Sequence, residues 1–327
     1  MNVYLIARKV VQVVALVLVM AAVLYIIFRL MPGNPAQIFL FGARTHGSSA
    51  QQLQRIESQL GLTGGKWNYR NFLIYMGDIL TFNFGYDYFR QTTVWQLIIQ
   101  ALPYTLLLIG SATVLSYIIG LPLGIVSIWT RGKKSEGTLV SGSLILNSVP
   151  YFILAILLYL YFVAYYRLEP VRSVFPIADL THPTLSSLGY VAAALTLPMA
   201  TLALIGASGN LLTMRAAMVS VLGSDFIMTA RAKGVTEGGI MFHHAARNAM
   251  IPVSTQMALN FALVASGAVI TEIIYSIPGI GNLTYQAILN LDYPLAEGTL
   301  FFLALIVIGA YSLIDFIHAW LDPRISL

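Results

Sequence analysis

Residues 224–252 read SDFIMTARAKGVTEGGIMFHHAARNAMIP and lie inside a polar interruption that runs from about 209 to 250. Long apolar runs flank this interruption, at about 188–207 before it and 251–274 after it. Both runs reach the roughly 20 residues that a helix needs to cross a lipid bilayer. We therefore expect a membrane protein in which a structured polar segment joins two transmembrane helices.

The interruption carries the signals of two short helices. Ser224 is a residue type that caps helix starts, and Asp225 complements the positive end of the helix dipole. Lys233 suits the negative end of the same helix, and Gly234 supplies a stop in the left-handed conformation. Thr236 is in position to cap a second helix. A connection of this length with its own secondary structure is usually functional, with an ordinary connecting hairpin as the alternative.

The composition of the whole chain also indicates a membrane protein. Hydrophobic residues make up 58% of the 327 positions and charged residues 9%, whereas about a quarter of the residues in soluble domains are charged. We therefore expect an all-α membrane protein with six transmembrane helices. Hydropathy places them at about 10–28, 104–129, 139–165, 188–207, 251–274 and 299–317.

Basic residues set the expected orientation, because Lys and Arg concentrate in short cytoplasmic segments. The net charge of +5 is read in this way, and not as a nucleic-acid signal. With both termini in the cytoplasm, the short outer loops hold only Arg167 and Arg172. The inner segments then hold Arg8, Lys9, Arg131, Lys133, Lys134, Arg215, Arg231, Lys233, Arg247 and Arg324.

The same orientation divides the chain into three parts. Residues 1–30 hold the amino terminus and the first helix, 31–100 form an extracytoplasmic loop, and 101–327 form a five-helix core with the polar loop at about 209–250. In the outer loop, Ser49 and Gln52 fit the capping box of a short surface helix. The aromatic residues that follow are typical of an interfacial belt, with a stacking platform for bases or sugars as the alternative.

Small residues and prolines mark packing and bending within the spans. Gly120 and Gly124 form a G-x-x-x-G pair, which is typical of closely packed membrane helices. Each proline in or beside a span removes a backbone donor and favours a kink. These prolines are Pro103, Pro122, Pro150 and Pro198.

Motifs for catalysis are missing from the sequence. No G-x-x-x-x-G-K-[ST] motif surrounds Lys66, Lys133 or Lys233, so any ATP must be bound by another subunit. No H-E-x-x-H motif, nucleophile elbow or cysteine occurs either. We expect a chain that is not an enzyme and binds no cofactor or metal itself.

Two acidic residues, Glu272 and Asp315, lie within predicted spans, with His318 one turn from Asp315. Acids inside spans mark ion relays in many transporters. Both acids lie near span ends, which favours snorkelling or local pairing over a relay. The sequence therefore gives little support to proton-coupled transport.

Four motifs together resemble a known family. Residues 229–234, TARAKG, continued by 244–252, HAARNAMIP, are similar to the cytoplasmic EAA loop of inner-membrane permeases from binding-protein-dependent ABC importers, in the dipeptide and oligopeptide branch. Residues 29–35, RLMPGNP, resemble that branch's sequence after the first span. Residues 278–281, PGIG, with 292–294, DYP, resemble its outer hairpin, and 322–324, DPR, its carboxyl terminus.

The resemblance implies a type I importer permease fold, in which this chain forms half of the translocation pathway. It implies as partners a second homologous permease, two ATP-binding cassette subunits that bind ATP and magnesium, an extracytoplasmic solute-binding protein and membrane lipid. Coupling to the ATPases would fall on Ala230, Arg231, Ala232, Lys233, Gly234, Thr236, Glu237, Gly238, Gly239, Phe242, His243, His244, Arg247 and Asn248. Two adjacent glycines weaken a helix, so docking on the ATPase is expected to order Gly238 and Gly239.

The solute and one rival function stay open at this point. The branch serves peptides, metal complexes and oligosaccharides, with di- and oligopeptides as the default expectation. The rival is a secondary transporter or channel that acts without an ATPase, which would need its own ion relay, filter or broken-helix repeats. The chain is expected in the plasma or inner membrane in either case.

Overall fold

The computed structural model describes residues 3–30, 69–87, 89–166 and 185–321, and most of them are helical. The surface helix predicted from Ser49 and the motifs at 31–35 and 322–324 lie outside these residues. The elements are α1 (Val3–Leu30), α2 (Tyr69–Leu80), β1 (Tyr86–Asp87), β2 (Thr92–Thr93), α3 (Val94–Trp129), α4 (Lys134–Ser148), α5 (Tyr151–Leu158), a π-helical segment (Tyr159–Tyr165), α6 (Leu185–Leu222), α7 (Asp225–Ala232), α8 (Glu237–Gly239), a second π-helical segment (Ile240–Ala245), α9 (Ala246–Ile274), α10 (Ile280–Leu289) and α11 (Tyr293–Leu321).

Four helices among the described residues are long and apolar enough to cross a membrane, or five when a bent pair counts as one span. They contain Ala7–Leu30, Val94–Trp129, Val191–Leu222 and Tyr293–Ser312. The bent pair is α4 with α5 and its π-helical extension, and α9 covers the remaining predicted segment, 251–274. Each of the six predicted spans therefore coincides largely with helix.

The predicted span at 139–165 is not one straight helix. The axes of α4 and of the helix after it differ by 97°. Val149 is extended, with φ −83° and ψ 122°, and Pro150 follows it. A proline disfavours helical dihedrals at the residue before it, which accounts for the break. By contrast, α3 continues through Pro103 and Pro122, and α6 through Pro198.

The chain forms two compact units. The first contains Met1–Pro103 and Pro278–Ile308, and the second contains Tyr104–Ile277 and Gly309–Leu327.

In the first unit, α1 packs on α2, with Leu24 and Ile79 buried between neighbouring helices. The strands β1 and β2 form an antiparallel hairpin in which Tyr86 pairs with Thr93 and Asp87 with Thr92. The described part of the aromatic stretch at 67–95 packs partly on itself and partly on other helices. Phe82 lies 5.3 Å from Trp95 between ring centroids, and Phe302 of α11 joins both rings. Phe72 lies 5.2 Å from Tyr25 of α1.

In the second unit, α6 is the central helix and contacts α4, α5 and α9. The prediction of close helix contact at the G-x-x-x-G pair is confirmed. A Cβ atom added at Gly120 would lie 2.5 Å from the Ala207 carbonyl oxygen, and one at Gly124 would lie 2.7 Å from Cβ of Met214. Only glycine allows α3 and α6 to approach this closely.

Candidate functional site

The polar segment begins after α6, which continues beyond the predicted span end at 207 as far as Leu222. Ser224 is the residue before α7, as predicted, but its side chain does not cap the helix. Its hydroxyl group instead donates to the Val221 carbonyl oxygen at 2.5 Å. Asp225 provides the predicted acidic residue in the first turn.

The end of α7 is a glycine stop, and the prediction at Gly234 is confirmed. Gly234 has a φ of +78°. Its N–H donates to the Arg231 carbonyl at 2.9 Å, and the N–H of Val235 donates to the Ala230 carbonyl at 3.2 Å. This pair of bonds is the Schellman arrangement, which satisfies the last carbonyl groups of a helix and turns the chain.

The second short helix follows at once. Thr236 caps it, since its hydroxyl oxygen accepts from the Gly239 N–H at 3.3 Å. Only the three residues Glu237–Gly239 are α-helical, and Ile240–Ala245 continues as a π-helical segment into α9. The predicted weakness around Gly238 and Gly239 thus corresponds to a short, irregular element.

An apolar core holds this element against the long helices. Ile227 on α7 and Ile240 and Ala245 on the π-helical segment are fully buried. They pack with Met214 and Met218 of α6 and with the end of α3. Burial of this apolar surface fixes α7 and α8 to the helices of the second unit.

The outward face of the same element is polar and aromatic, and we call it the loop surface. Of the residues predicted to couple to ATPases, Gly238, Gly239 and His244 are partly buried and Ala230 is buried. The exposed ones, which define the loop surface, are Arg231, Ala232, Lys233, Gly234, Thr236, Glu237, Phe242, His243, Arg247 and Asn248.

One ion pair links the two short helices across this surface. The Arg231 guanidinium donates to both carboxylate oxygens of Glu237, at 2.9 and 3.3 Å. The two side chains are 48% and 63% exposed. A pair this exposed adds little to stability, so its main effect is to orient the two charges.

Three exposed apolar residues beside the loop surface were not predicted from the sequence. Trp129, at the end of α3, packs against Phe242 with ring centroids 5.8 Å apart. Phe226 and Met228 on α7 are 45% and 60% exposed. The signal that could have identified the last two is their position on either side of the inward-facing Ile227.

The prediction that Glu272 snorkels is wrong, and its hydrogen-bond partner lies on another helix. The side chain is fully buried, and it accepts a hydrogen bond of 2.7 Å from Thr105. The side chains of Asp315 and His318 lie outside the described part of the chain. Among the described residues, no group of three or more His, Cys, Asp or Glu side chains is placed to hold a metal ion.

A buried acid pair in the first unit was also not predicted. Asp87 accepts from the Phe89 and Arg90 N–H groups at 2.8 and 2.9 Å and from the Arg90 guanidinium at 2.9 Å. Asp292 precedes α11, accepts from the Leu295 N–H through Oδ1, and has no donor for its buried Oδ2 among the described residues. Burial raises the pKa of Asp292 to about 7, and the neighbouring Asp87 adds to the shift.

The charges around this pair indicate which acid holds a proton. Asp87 forms an ion pair with Arg90, whereas Asp292 is buried beside the negative charge of Asp87, which raises its pKa. Two carboxyl groups can hydrogen bond only if one is protonated. Asp292 is therefore the member that holds a proton below about pH 7.

These features define a multi-span α-helical membrane protein with a compact polar element held between two long helices. The chain belongs to the family described as binding-protein-dependent transport system inner membrane components, whose profile matches residues 120–327. The profile for the amino-terminal part of such membrane components matches residues 1–109.

Relatives match along almost the whole chain. A protein of Brucella abortus (strain 2308) that is named for a peptide transport system permease is 32% identical, over 98% of both chains. The dipeptide transport system permease protein DppB of Escherichia coli (strain K12) is 28% identical, over 90% of this chain and 91% of that protein. A solved structure of the MetNI methionine ABC transporter in an inward-facing conformation covers 69% of this chain and 97% of its own, at 16% identity and a TM-score of 0.50.

Family membership fixes the class of function. The chain is a multi-pass permease subunit of a binding-protein-dependent ABC importer in the plasma membrane, and it is a non-catalytic membrane component. Such a subunit works with an ATPase and a solute-binding protein. The likeness to the methionine transporter supports the type I importer fold.

Proposed function

We propose that this chain forms half of the translocation pathway of a peptide importer, and that the loop surface receives the movement of an ATPase subunit. The observation that carries the proposal is the two-sided construction of residues 225–248. One side is packed into the core of the second unit by Ile227 and Ile240, while the other presents Arg231, Phe242 and Arg247 to a partner.

This construction suits the transfer of movement. A push on an element is passed on only if the element is fixed to the helices that must move, and the apolar core supplies that attachment. An exposed aromatic residue among basic side chains is also typical of an interface anchor. Phe242 is 52% exposed and lies near His243 and Arg247 in sequence.

The proposed assembly contains a second homologous permease, two ATP-binding cassette subunits and an extracytoplasmic binding protein. ATP and magnesium act on the cassette subunits. Both termini and the loop surface face the cytoplasm, and residues 31–100 lie outside. Support for this orientation comes from the basic residues of the short inner segments, among them Arg131, Arg215 and Arg231.

Peptides are the proposed solute class because the permeases from Brucella abortus and Escherichia coli are named for peptide and dipeptide transport. Oligosaccharides and metal complexes are the alternatives that a transport assay must separate from peptides. No observation favours a secondary transporter or channel that acts without an ATPase.

The test is a complex reconstituted in liposomes with its ATPases and loaded binding protein. Phe242→Asp should abolish both peptide uptake and the stimulation of ATP hydrolysis by binding protein, because it puts a charge at the anchor. Phe242→Leu, which keeps an apolar side chain, should retain most of both activities. Native uptake by Phe242→Asp would overturn the coupling role, and uptake of only sugars or metal complexes would overturn the peptide assignment.

A further inference from the structure

The turn between α3 and α4 is a compact link next to the loop surface. Gly132 has a φ of +82°, and backbone bonds of 3.0 Å join Arg131 to Ile128 and Lys133 to Thr130. Glu136, in the first turn of α4, accepts from the Gly132 N–H through Oε2 at 2.6 Å. The turn and the start of α4 are thereby held together.

The other carboxylate oxygen of Glu136 reaches α6. Oε1 accepts from Nη2 of Arg215 at 2.6 Å, and the side chains of Arg215 and Glu136 are only 24% and 16% exposed. A single carboxylate thus joins the α3–α4 turn to the helix at the centre of the second unit. Arg215 follows Met214, which packs in the core beneath the loop surface.

The opposite end of the turn touches the loop surface. Trp129 is the last residue of α3 and packs on Phe242, with ring planes inclined by 38°. A Cβ atom added at Gly238 would lie 3.5 Å from the Trp129 ring. Contacts therefore run without a gap from Phe242 through Trp129 and the turn to Glu136 and Arg215.

One buried atom in this chain of contacts makes no hydrogen bond within the described part of the chain. Nη1 of Arg215 is buried without an acceptor among the described residues. A buried donor that makes no hydrogen bond destabilises the arrangement that contains it. A rearrangement that supplies an acceptor removes this unfavourable free energy. Arg215 is thus suited to an element with two arrangements, which is what the coupling of distant sites requires.

We propose that Glu136 and Arg215 are positioning residues that pass movement of the loop surface into α6, and so tie ATP hydrolysis to solute passage. The inference rests on the proposed coupling role of the loop surface. The pair is mostly shielded from solvent, so a single change leaves one charge unpaired and can also lower stability, whereas a variant with both residues neutral leaves no buried charge behind.

The experiment measures ATP hydrolysed per solute imported in the reconstituted complex with binding protein. Glu136→Gln and Arg215→Gln should each raise this ratio by at least about two-fold. This figure corresponds to the smallest coupling free energy, about 0.5 kcal/mol, that is typical of residues acting at a distance from both sites. The double variant should be no worse than the worse single variant, because both changes break the same link. Lys134→Gln removes an exposed charge from the same helix start and should leave the ratio unchanged.

The neutral double variant keeps the test decisive if a single variant fails to assemble, because it leaves no unpaired charge. A native ratio in this double variant, or additive effects of the two single changes, would overturn the inference. Phe242→Asp separates the two proposals. If it blocks uptake while the Glu136 and Arg215 variants keep the native ratio, only the link is wrong; if it leaves uptake intact, the coupling role itself fails.

Discussion

Thr105 on α3 donates a hydrogen bond of 2.7 Å to Glu272 on α9, and both side chains are buried. Thr105→Val keeps the shape of the side chain but removes the hydroxyl donor from a buried carboxylate. Loss of such a donor costs about 1–3 kcal/mol. We expect a lower thermal midpoint of the purified complex in detergent, with Thr105→Ser close to native. Equal midpoints for the valine and serine variants would contradict a role for this bond.

Gly120→Ala tests the close contact between α3 and α6. The new Cβ would lie 2.5 Å from the Ala207 carbonyl oxygen and 2.7 Å from Cβ of Asn210, so the helices must separate. Overpacking of this kind costs about 1–3 kcal/mol. The expected result is a lower yield of monodisperse protein and a lower thermal midpoint.

Gly110→Ala is the matched control on the same helix. A Cβ at this position meets no atom within 4 Å. Alanine favours helix by about 1 kcal/mol over glycine, so this variant should be as stable as the native protein or more stable. A similar loss at both positions would mean that the Gly120 contact is not responsible.

Gly234→Val should damage the turn between the two short helices of the loop surface. Valine at a φ of +78° is strained, and the left-handed conformation costs roughly 1–2 kcal/mol for residues other than glycine. We expect reduced stimulation of ATP hydrolysis and reduced uptake in the reconstituted complex. Gly234→Asn should retain more of both, because asparagine tolerates this conformation. If valine and asparagine behave alike, the backbone conformation is not what matters there.

Local features of the fold could be predicted from the sequence, whereas contacts between distant residues could not. The stop at Gly234, the cap at Thr236 and the close approach at Gly120 follow from the properties of single residue types. The bend at Pro150 was indicated, but its angle of 97° depends on packing. The Trp129–Phe242 contact and the Asp87–Asp292 pair were not predictable, because the fold alone brings these segments together.

The acid pair predicts a pH dependence for the stability of the first unit. The pKa of Asp292 rises from an ordinary 3.8 to about 7, with burial as the main cause and the charge of Asp87 as the second; Arg90 opposes the shift. The folded state therefore holds a proton that the unfolded state loses, so stability falls as pH rises from about 4 to about 7 and then levels off.

Asp292→Asn should remove this dependence, because the amide is neutral and can donate to Asp87 as the protonated acid does. The measurement is the thermal midpoint of native and variant complexes between about pH 5 and pH 8, a range that spans the folded-state pKa. The thermal midpoint of the native complex should fall by several degrees over this interval, because each kcal/mol of lost stability lowers it by about 2–4 °C. The midpoint of the variant should stay nearly constant. Parallel curves for the two proteins would show that Asp292 does not titrate there.

The proposed orientation can be tested by cysteine labelling, because the chain has no native cysteine. The charges of the short segments predict that both termini lie in the cytoplasm and that residues 31–100 lie outside. Single cysteines at Ser48 and Thr63 should then react with a membrane-impermeant thiol reagent in intact cells. A cysteine at Ser135, next to the turn that carries Gly132, should react only after the cells are permeabilised. If only Ser135→Cys is labelled in intact cells, the topology is the inverse of the proposed one. The loop surface would then lie outside the cell, where no cytoplasmic ATPase could reach it.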